Sequence, residues 1–314
     1  MSVFQDDSFI SCDGKTEIHV RRCLPEGTPR GVVQLAHGIA EHIGRYDGFA
    51  QFLAEQGFVV VGNDHLGHGL SVRDPEDLGF LAETGGWNLV VGDMRRLYEE
   101  THDDFPDLPY FLLGHSMGSF LARSYIIRHR DGLRGCILSG TAQQPAAVVA
   151  AGRTLGNREI RRHGARYRSE FLNGMAFGSY LKRIKNPRTP SDWLSRDNAV
   201  VDRFVADPLC GFIPTAELFT DMMGGIAYNQ RHDNLLRMNR ALPVYFFAGD
   251  RDPVGAYGKG VVAAYRSFLG AGMRNVTMKL YSGGRHEMLN ELNRDEVYAD
   301  VLNWLQAVMA GPNT

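Results

Sequence analysis

The pentapeptide Gly114-His115-Ser116-Met117-Gly118 matches Gly-x-Ser-x-Gly. That pattern makes a serine a nucleophile when it links a buried strand to a helix. The flanks fit: the apolar run Tyr110–Leu113 precedes it and a helical pattern from Met117 to His129 follows. Such an elbow strains the serine, and small neighbours let strand and helix close around it. The plainer alternative is a strand-to-helix turn whose serine merely caps the helix. A nucleophilic serine needs a base, and in sheet enzymes with this elbow the order along the chain is Ser, acid, His. Of the 11 histidines, only His286 follows the apolar run Val244–Ala248, so it is the expected general base. The acid belongs just after that run, where Gly249-Asp250-Arg251-Asp252-Pro253-Val254 offers two carboxylates. Either can orient an imidazole and stabilise its cation, and spacing does not choose between Asp250 and Asp252. The developing alkoxide needs two backbone N–H groups. Met117, next to the nucleophile, supplies one, and Ile39 in His37-Gly38-Ile39, after the third strand, supplies the other. His37 itself reads as a structural loop residue.

These groups need a frame. A hairpin is expected from Phe9–Cys12, a turn at Asp13-Gly14, and Glu17–Cys23. Strands at Val32–Ala36, Phe58–Val61, Tyr110–Leu113 and Cys136–Ser139 then alternate with helices at Tyr46–Gln56, Trp87–Thr101 and Met117–His129. After a gap, alternation resumes with Val244–Ala248, a helix Ala256–Leu269, Val276–Tyr281 and a helix Glu296–Met309. This is the pattern of an α/β protein, a mostly parallel sheet flanked by helices. Between Ala142 and Ala241 no strand is convincing, and a structureless loop of that length is implausible. We therefore expect a sheet domain at 1–141 and 242–314, with a helical cap, 142–241, inserted into it.

Bulk properties exclude several classes. A chain of 314 residues, 44% hydrophobic and with a net charge of −2, has a core that needs no disulfide or metal and no total charge asking for nucleic acid. Its start is neither basic nor apolar, and no run approaches the roughly 18 apolar residues of a membrane helix, so a cytoplasmic protein is expected. Cys12, Cys23, Cys136 and Cys210 form no Cys-x-x-Cys pair, so no zinc site is expected. Cys12 and Cys23 could face each other across the hairpin, but free thiols are the favoured reading.

The motifs together resemble the monoacylglycerol lipase and lysophospholipase branch of the α/β-hydrolases, the serine aminopeptidase-like enzymes. The matching blocks are His37-Gly38-Ile39-Ala40-Glu41-His42 with Arg45-Tyr46, Asp64-His65-Leu66-Gly67-His68-Gly69-Leu70-Ser71, and the elbow. Leu194-Ser195-Arg196-Asp197, Asp207-Pro208-Leu209 and the acid and histidine segments complete the set. The resemblance spans nearly the whole chain and implies the α/β-hydrolase fold. It assigns the acid to Asp252, gives Asp64–Ser71 a structural role, and places Glu41 and Arg45 near a polar substrate head. It implies hydrolysis of carboxylic esters with an apolar acyl group, such as monoacylglycerols or lysophospholipids, without a cofactor. One departure is Leu289, where these lipases commonly carry a second histidine. A peptidase with Glu41 holding a free amine is the alternative. A non-catalytic receptor on the same fold usually lacks part of the triad, and a dehalogenase needs an aspartate in place of Ser116.

The expected cap is strongly basic. Arg153, Arg158, Arg161, Arg162, Arg166, Arg168, Lys182, Arg183, Lys185 and Arg188 face only Glu159 and Glu170 within that stretch. Ile160, Gly164, Tyr167 and Phe171 fall at helical spacing and suggest one apolar stripe. Two readings compete: a solvated basic helix packed on the sheet domain, or a cap that meets lipid surfaces.

Overall fold

The structure is a computed structural model that describes residues 2–311. The chain opens with an antiparallel hairpin, β1 (Val3–Ile10) and β2 (Glu17–Leu24), in which Val3 pairs with Leu24 and Ile10 with Glu17. β1 starts well before the expected Phe9. Its Gln5-Asp6-Asp7 stretch has no apolar signal, because only Phe9 of this edge strand is fully buried and the rest is held by backbone pairing, by Phe4 against the core and by ion pairs of Asp6 and Asp7 with Arg21 and Arg22. Cys23 lies opposite Phe4 while Cys12 sits in the turn, so the two do not face each other and both are free thiols.

Then follow β3 (Gly31–Ala36), α1 (Asp47–Glu55), β4 (Phe58–Asn63), α2 (Gly86–Asp104), β5 (Tyr110–His115), α3 (Met117–Arg128) and β6 (Gly135–Ser139). Five helices separate β6 from the next strand: α4 (Ala146–His163), α5 (Glu170–Phe177), α6 (Asn198–Ala206), α7 (Ala216–Gln230) and α8 (His232–Leu235). The chain closes with β7 (Val244–Gly249), α9 (Lys259–Gly270), β8 (Val276–Tyr281) and α10 (Arg294–Ala310). The eight strands form one sheet in the order β1-β2-β4-β3-β5-β6-β7-β8, parallel from β4 to β8. Every residue of β3, β4, β5, β6 and β7 is buried, as expected for parallel strands covered on both faces. One layer of core includes Val91, Leu121 and Phe268, and the other Phe49, Leu53 and Val301.

The five helices between β6 and β7 share a core with the rest. Leu218, Met222 and Ile226 of α7 belong to the same apolar cluster as Trp87 and Phe120. A buried polar chain pins α7 down: Trp87 Nε1 donates to Ser124 Oγ at 3.0 Å, Ser124 Oγ to Asn229 Oδ1 at 2.7 Å, and Asn229 Nδ2 to the Phe120 carbonyl at 2.7 Å.

The proposed apolar stripe does not exist as one face. Gly164 has a φ of 90° and ends α4 after His163, and α5 starts at Glu170 behind the Ser169 cap. Ile160 and Phe171 therefore stand on different helices, with Gly164 and Tyr167 in the link between them. A glycine that can adopt positive φ stopped a helix the spacing alone would have continued. Helix α9 likewise begins at Lys259 rather than Ala256, because Ala256 and Tyr257 have φ of 50° and 57° in a turn closed by Tyr257 N–H on the Asp252 carbonyl, 2.8 Å.

Candidate active site

Ser116 stands between β5 and α3 with φ 52° and ψ −120°, a conformation that costs an L-residue of order 1–3 kcal/mol. Its amide donates to the Ser139 carbonyl at 2.9 Å, and its own carbonyl accepts from Ser119 Oγ at 2.6 Å. The two glycines of the motif are there for space. A Cβ at Gly114 would collide with the Gly118 carbonyl, and one at Gly118 with the carbonyls of Ala36 and His37. Strand, turn and helix thus close tightly enough to lift Ser116 into the cavity beyond the strand ends.

His286 lies in the loop after β8. Its Nδ1 is 3.0 Å from Asp252 Oδ2, and both side chains are buried. The other Asp252 oxygen accepts from Val254 N–H at 2.8 Å, which fixes the carboxylate in the turn after β7. Asp250 instead accepts from Gly283 N–H at 2.8 Å and remains partly exposed. The structure therefore brings His286 to Asp252, not to Asp250. Burial alone would lower the His286 pKa, but the Asp252 charge and hydrogen bond, with Glu287 and Glu41 behind them, raise it above its ordinary value. The ring is wedged between His115, 4.6 Å between centroids, and Trp193, 5.1 Å. Room for it depends on Gly140, whose Cβ would lie 2.9 Å from His286 Cε1. Arg285 Nη1 donates to the Ser195 carbonyl at 2.9 Å and Glu287 N–H to the Leu194 carbonyl at 2.8 Å, so the histidine loop is fastened to the segment before α6.

Two cavities meet at Ser116. The smaller, about 170 Å³, is bordered by Gly38, Glu41, Asn173, Ser191, His286 and Glu287. The larger, about 310 Å³, is apolar, with Phe120, Val149, Met175, Phe219, Met222 and Met223 on its walls. Ile39, Phe177 and Trp193 touch both. A depression of about 380 Å³ beside Thr16, Arg73, Glu83 and Arg166 contains none of these groups. Among the described residues, the amides of Ile39 and Met117 have no hydrogen-bond partner.

Glu41 and Arg45 are more constrained than a role as open substrate ligands implies. Glu41 Oε1 accepts from the Gly38 amide and from Tyr46 OH at 2.9 Å, and Oε2 pairs with Arg45. Arg45 also makes a bidentate pair with Glu287, at 2.7 and 2.6 Å. Glu41 borders the smaller cavity, whereas Arg45 lines a separate depression beside Phe204. Burial and the Glu287 charge push Glu41 up against the pull of Arg45, while for Glu287 the bidentate Arg45 overcomes burial and holds it below the usual carboxylate range. Glu287 and Trp193 had no sequence signal: one lies 242 positions from Arg45, the other on an irregular segment.

His37, His65 and His68 are fully buried, and His68 Nδ1 lies 3.2 Å from the Leu66 carbonyl. His37 Nδ1 contacts the Gly38 carbonyl at 2.8 Å and its Nε2 accepts from His65 N–H at 2.9 Å. Asp64 accepts from Ile43 and Leu70 amides at 2.8 and 2.9 Å, folding that loop beneath the Gly38 turn. Leu289 is buried in the core.

A sheet of this order, with a strained serine after β5 and a histidine after β8, defines an α/β-hydrolase. The chain belongs to the family described as serine aminopeptidase, S33, whose model matches residues 27–293. It is 31% identical over 290 residues to a monoacylglycerol lipase of Mycolicibacterium smegmatis, covering 90% of each chain. It is 27% identical to human monoglyceride lipase, covering 97% of this chain and 91% of that one. A crystal structure of a thermostable carboxyl esterase from Bacillus coagulans, in complex with glycerol, superposes with a TM-score of 0.91 at 32% identity, covering 98% of this chain and 99% of that one. The protein is a carboxylic ester hydrolase. No helix among the described residues is long and apolar enough to cross a membrane.

Proposed function

We propose that the protein hydrolyses esters joining an apolar acyl chain to a small polar alcohol, monoacylglycerols foremost, through an acyl-enzyme on Ser116. The observation that carries this is the junction of two unlike cavities at Ser116, beside the His286–Asp252 pair. The acyl chain occupies the methionine-lined cavity, whose flexible thioethers adapt to chains of different shape. The alcohol faces Asn173, Ser191 and Glu41 in the smaller one. His286 takes the Ser116 hydroxyl proton as Oγ attacks the carbonyl, and Asp252 stabilises the resulting imidazolium. The Ile39 and Met117 amides receive the alkoxide. The tetrahedral intermediate collapses as His286 protonates the leaving alcohol, and water, activated by His286, releases the acid. The relatives named as monoglyceride lipases and the esterase bound to glycerol support this choice of head group. The segment 142–241 acts as the cap that supplies the acyl cavity, with Met175, Phe219, Met222 and Met223 drawn from it.

An aminopeptidase would need a free anionic carboxylate for the substrate amine. Glu41 is already committed to Gly38, Tyr46 and Arg45. The test is a side-by-side panel of monoacylglycerols, lysophospholipids, p-nitrophenyl esters and aminoacyl anilides, together with fluorophosphonate labelling. Monoacylglycerols should give the highest kcat/KM, and Ser116→Ala should abolish labelling and lower turnover by about three orders of magnitude or more. Labelling that survives in that variant, or anilides turned over faster than esters, would overturn the reading.

A further inference from the structure

Outside the Ser116 cavity, one group of metal-type donors converges among the described residues: His42, Asp207 and Cys210, whose nearest ligand atoms all lie within 4.8 Å of one another. We infer that these three side chains form a binding site for a zinc-class divalent cation, which would clamp the Asp207–Gly211 loop onto the loop that carries Ile39. No motif announces it, because His42 is 165 positions from Asp207.

The geometry is prepared from both sides. His42 Nε2 is 2.9 Å from Asp207 Oδ2, and Asp207 Oδ1 accepts from Leu209 N–H at 2.9 Å, so the carboxylate is already aimed. Cys210 N–H donates to the Asp207 carbonyl at 3.0 Å, which curls the loop and brings the thiol to the same point. Gly211 N–H donates to the Ala40 carbonyl at 2.9 Å, between Ile39 and His42. Ligand bonds of about 2.0–2.1 Å to nitrogen, 2.0–2.2 Å to oxygen and 2.3 Å to sulfur require only small side-chain adjustments, with water as the fourth ligand. Thiolate and imidazole select zinc over magnesium or calcium, which prefer all-oxygen shells. His42 and Asp207 border an open depression that gives an ion access. Two arginines border it as well: Arg45 is neutralised by Glu41 and Glu287, and Arg203 is exposed and free to turn away. Binding is a proton exchange. The Cys210 thiol loses its proton to solvent, His42 Nε2 gives up the proton it donates to Asp207 while the ring keeps or takes one on Nδ1, and Nε2, a carboxylate oxygen and the thiolate sulfur take the metal. Because the thiol must give up its proton to bind the metal, affinity falls as pH drops.

Titration calorimetry with Zn²⁺, and absorption spectra with Co²⁺, test this directly without an activity readout. The wild type should bind one equivalent and show a thiolate-to-cobalt charge-transfer band, with neither Mg²⁺ nor Ca²⁺ competing. Cys210→Ser should lose the band, and Cys210→Ser and His42→Asn should each weaken Zn²⁺ binding about 100-fold or more. In the unaltered protein, Zn²⁺ should protect Cys210 from iodoacetamide while leaving the exposed Cys12 reactive, which removes any dependence on how the variants fold. Unprotected Cys210, wild-type affinity in both variants, or competition by Ca²⁺ would overturn the site.

Discussion

At the scale of single residues, the two aspartates after β7 separate cleanly. Asp252 holds His286 Nδ1 and Asp250 holds a loop amide, so their loss has different consequences. Asp252→Asn should lower kcat by about 10⁴-fold, because an amide presents the wrong partner to the imidazole. Asp250→Asn should change it only a few-fold. Steady-state kinetics on a soluble aryl ester decide, and the reverse ranking would transfer the role to Asp250. A second expectation concerns pH. As the proposed general base, His286 is competent only when neutral, so kcat/KM should rise with pH through a limb set by its pKa, above the ordinary 6.5. Glu287 contributes negative charge that favours the imidazolium. Glu287→Gln removes that charge and leaves Arg45 less compensated, and both changes favour neutral imidazole. The acid limb should therefore move to lower pH; an unmoved limb, or one displaced upward, would dissociate Glu287 from His286.

At the scale of elements, the elbow depends on backbone proximity. Its glycines are where a helix, a strand and a neighbouring loop touch with no side chain between them. Gly118→Ala forces a methyl against two carbonyls and should cost about 3 kcal/mol, measured as a lowered urea midpoint. Gly174 offers the contrast: it lies exposed inside α5 with nothing within 4 Å of an added Cβ. Gly174→Ala should stabilise by about 0.5–1 kcal/mol through helix propensity. If both substitutions moved the midpoint equally, close packing would not be the reason for glycine at the elbow.

At the scale of the whole molecule, the question is what the basic helices meet. Val148, Phe171 and Met175 are large, exposed apolar residues of α4 and α5, and Val148 and Met175 also border the acyl cavity. Arg153, Arg158, Arg161 and Arg162 of α4 form no ion pair among the described residues. Arg166 and Arg168 are different: Arg166 pairs with Asp77, and Arg168 donates to the Glu76, Leu78 and Ile213 carbonyls. We propose that the free arginines and the exposed apolar rim face lipid aggregates. Sedimentation with anionic vesicles should show binding that fades with salt, since screening acts within about 8 Å at physiological ionic strength. Arg158→Gln with Arg161→Gln and Arg162→Gln should weaken it and leave turnover of a soluble short ester unchanged. Equal binding to neutral vesicles, or none to either, would leave the helices as a solvated surface.

Much of this was legible in the chain because it is local. Alternating apolar runs and helical patterns report burial within a few residues, and Gly-x-Ser-x-Gly encodes a turn whose steric demands are contained in five positions. The order Ser, acid, His, a rule of the whole chain rather than a local signal, pointed to His286. Residues left the two aspartates open, and family resemblance, not spacing, chose Asp252. Tertiary structure decided what depends on distance in space. It pairs Arg45 with Glu287, packs Trp193 on His286, opens two cavities at Ser116, and breaks the apparent stripe at Gly164. β1 was hidden for the related reason that an exposed edge strand is held largely by hydrogen bonds and ion pairs to its neighbour, which leave no hydrophobic period in its own sequence.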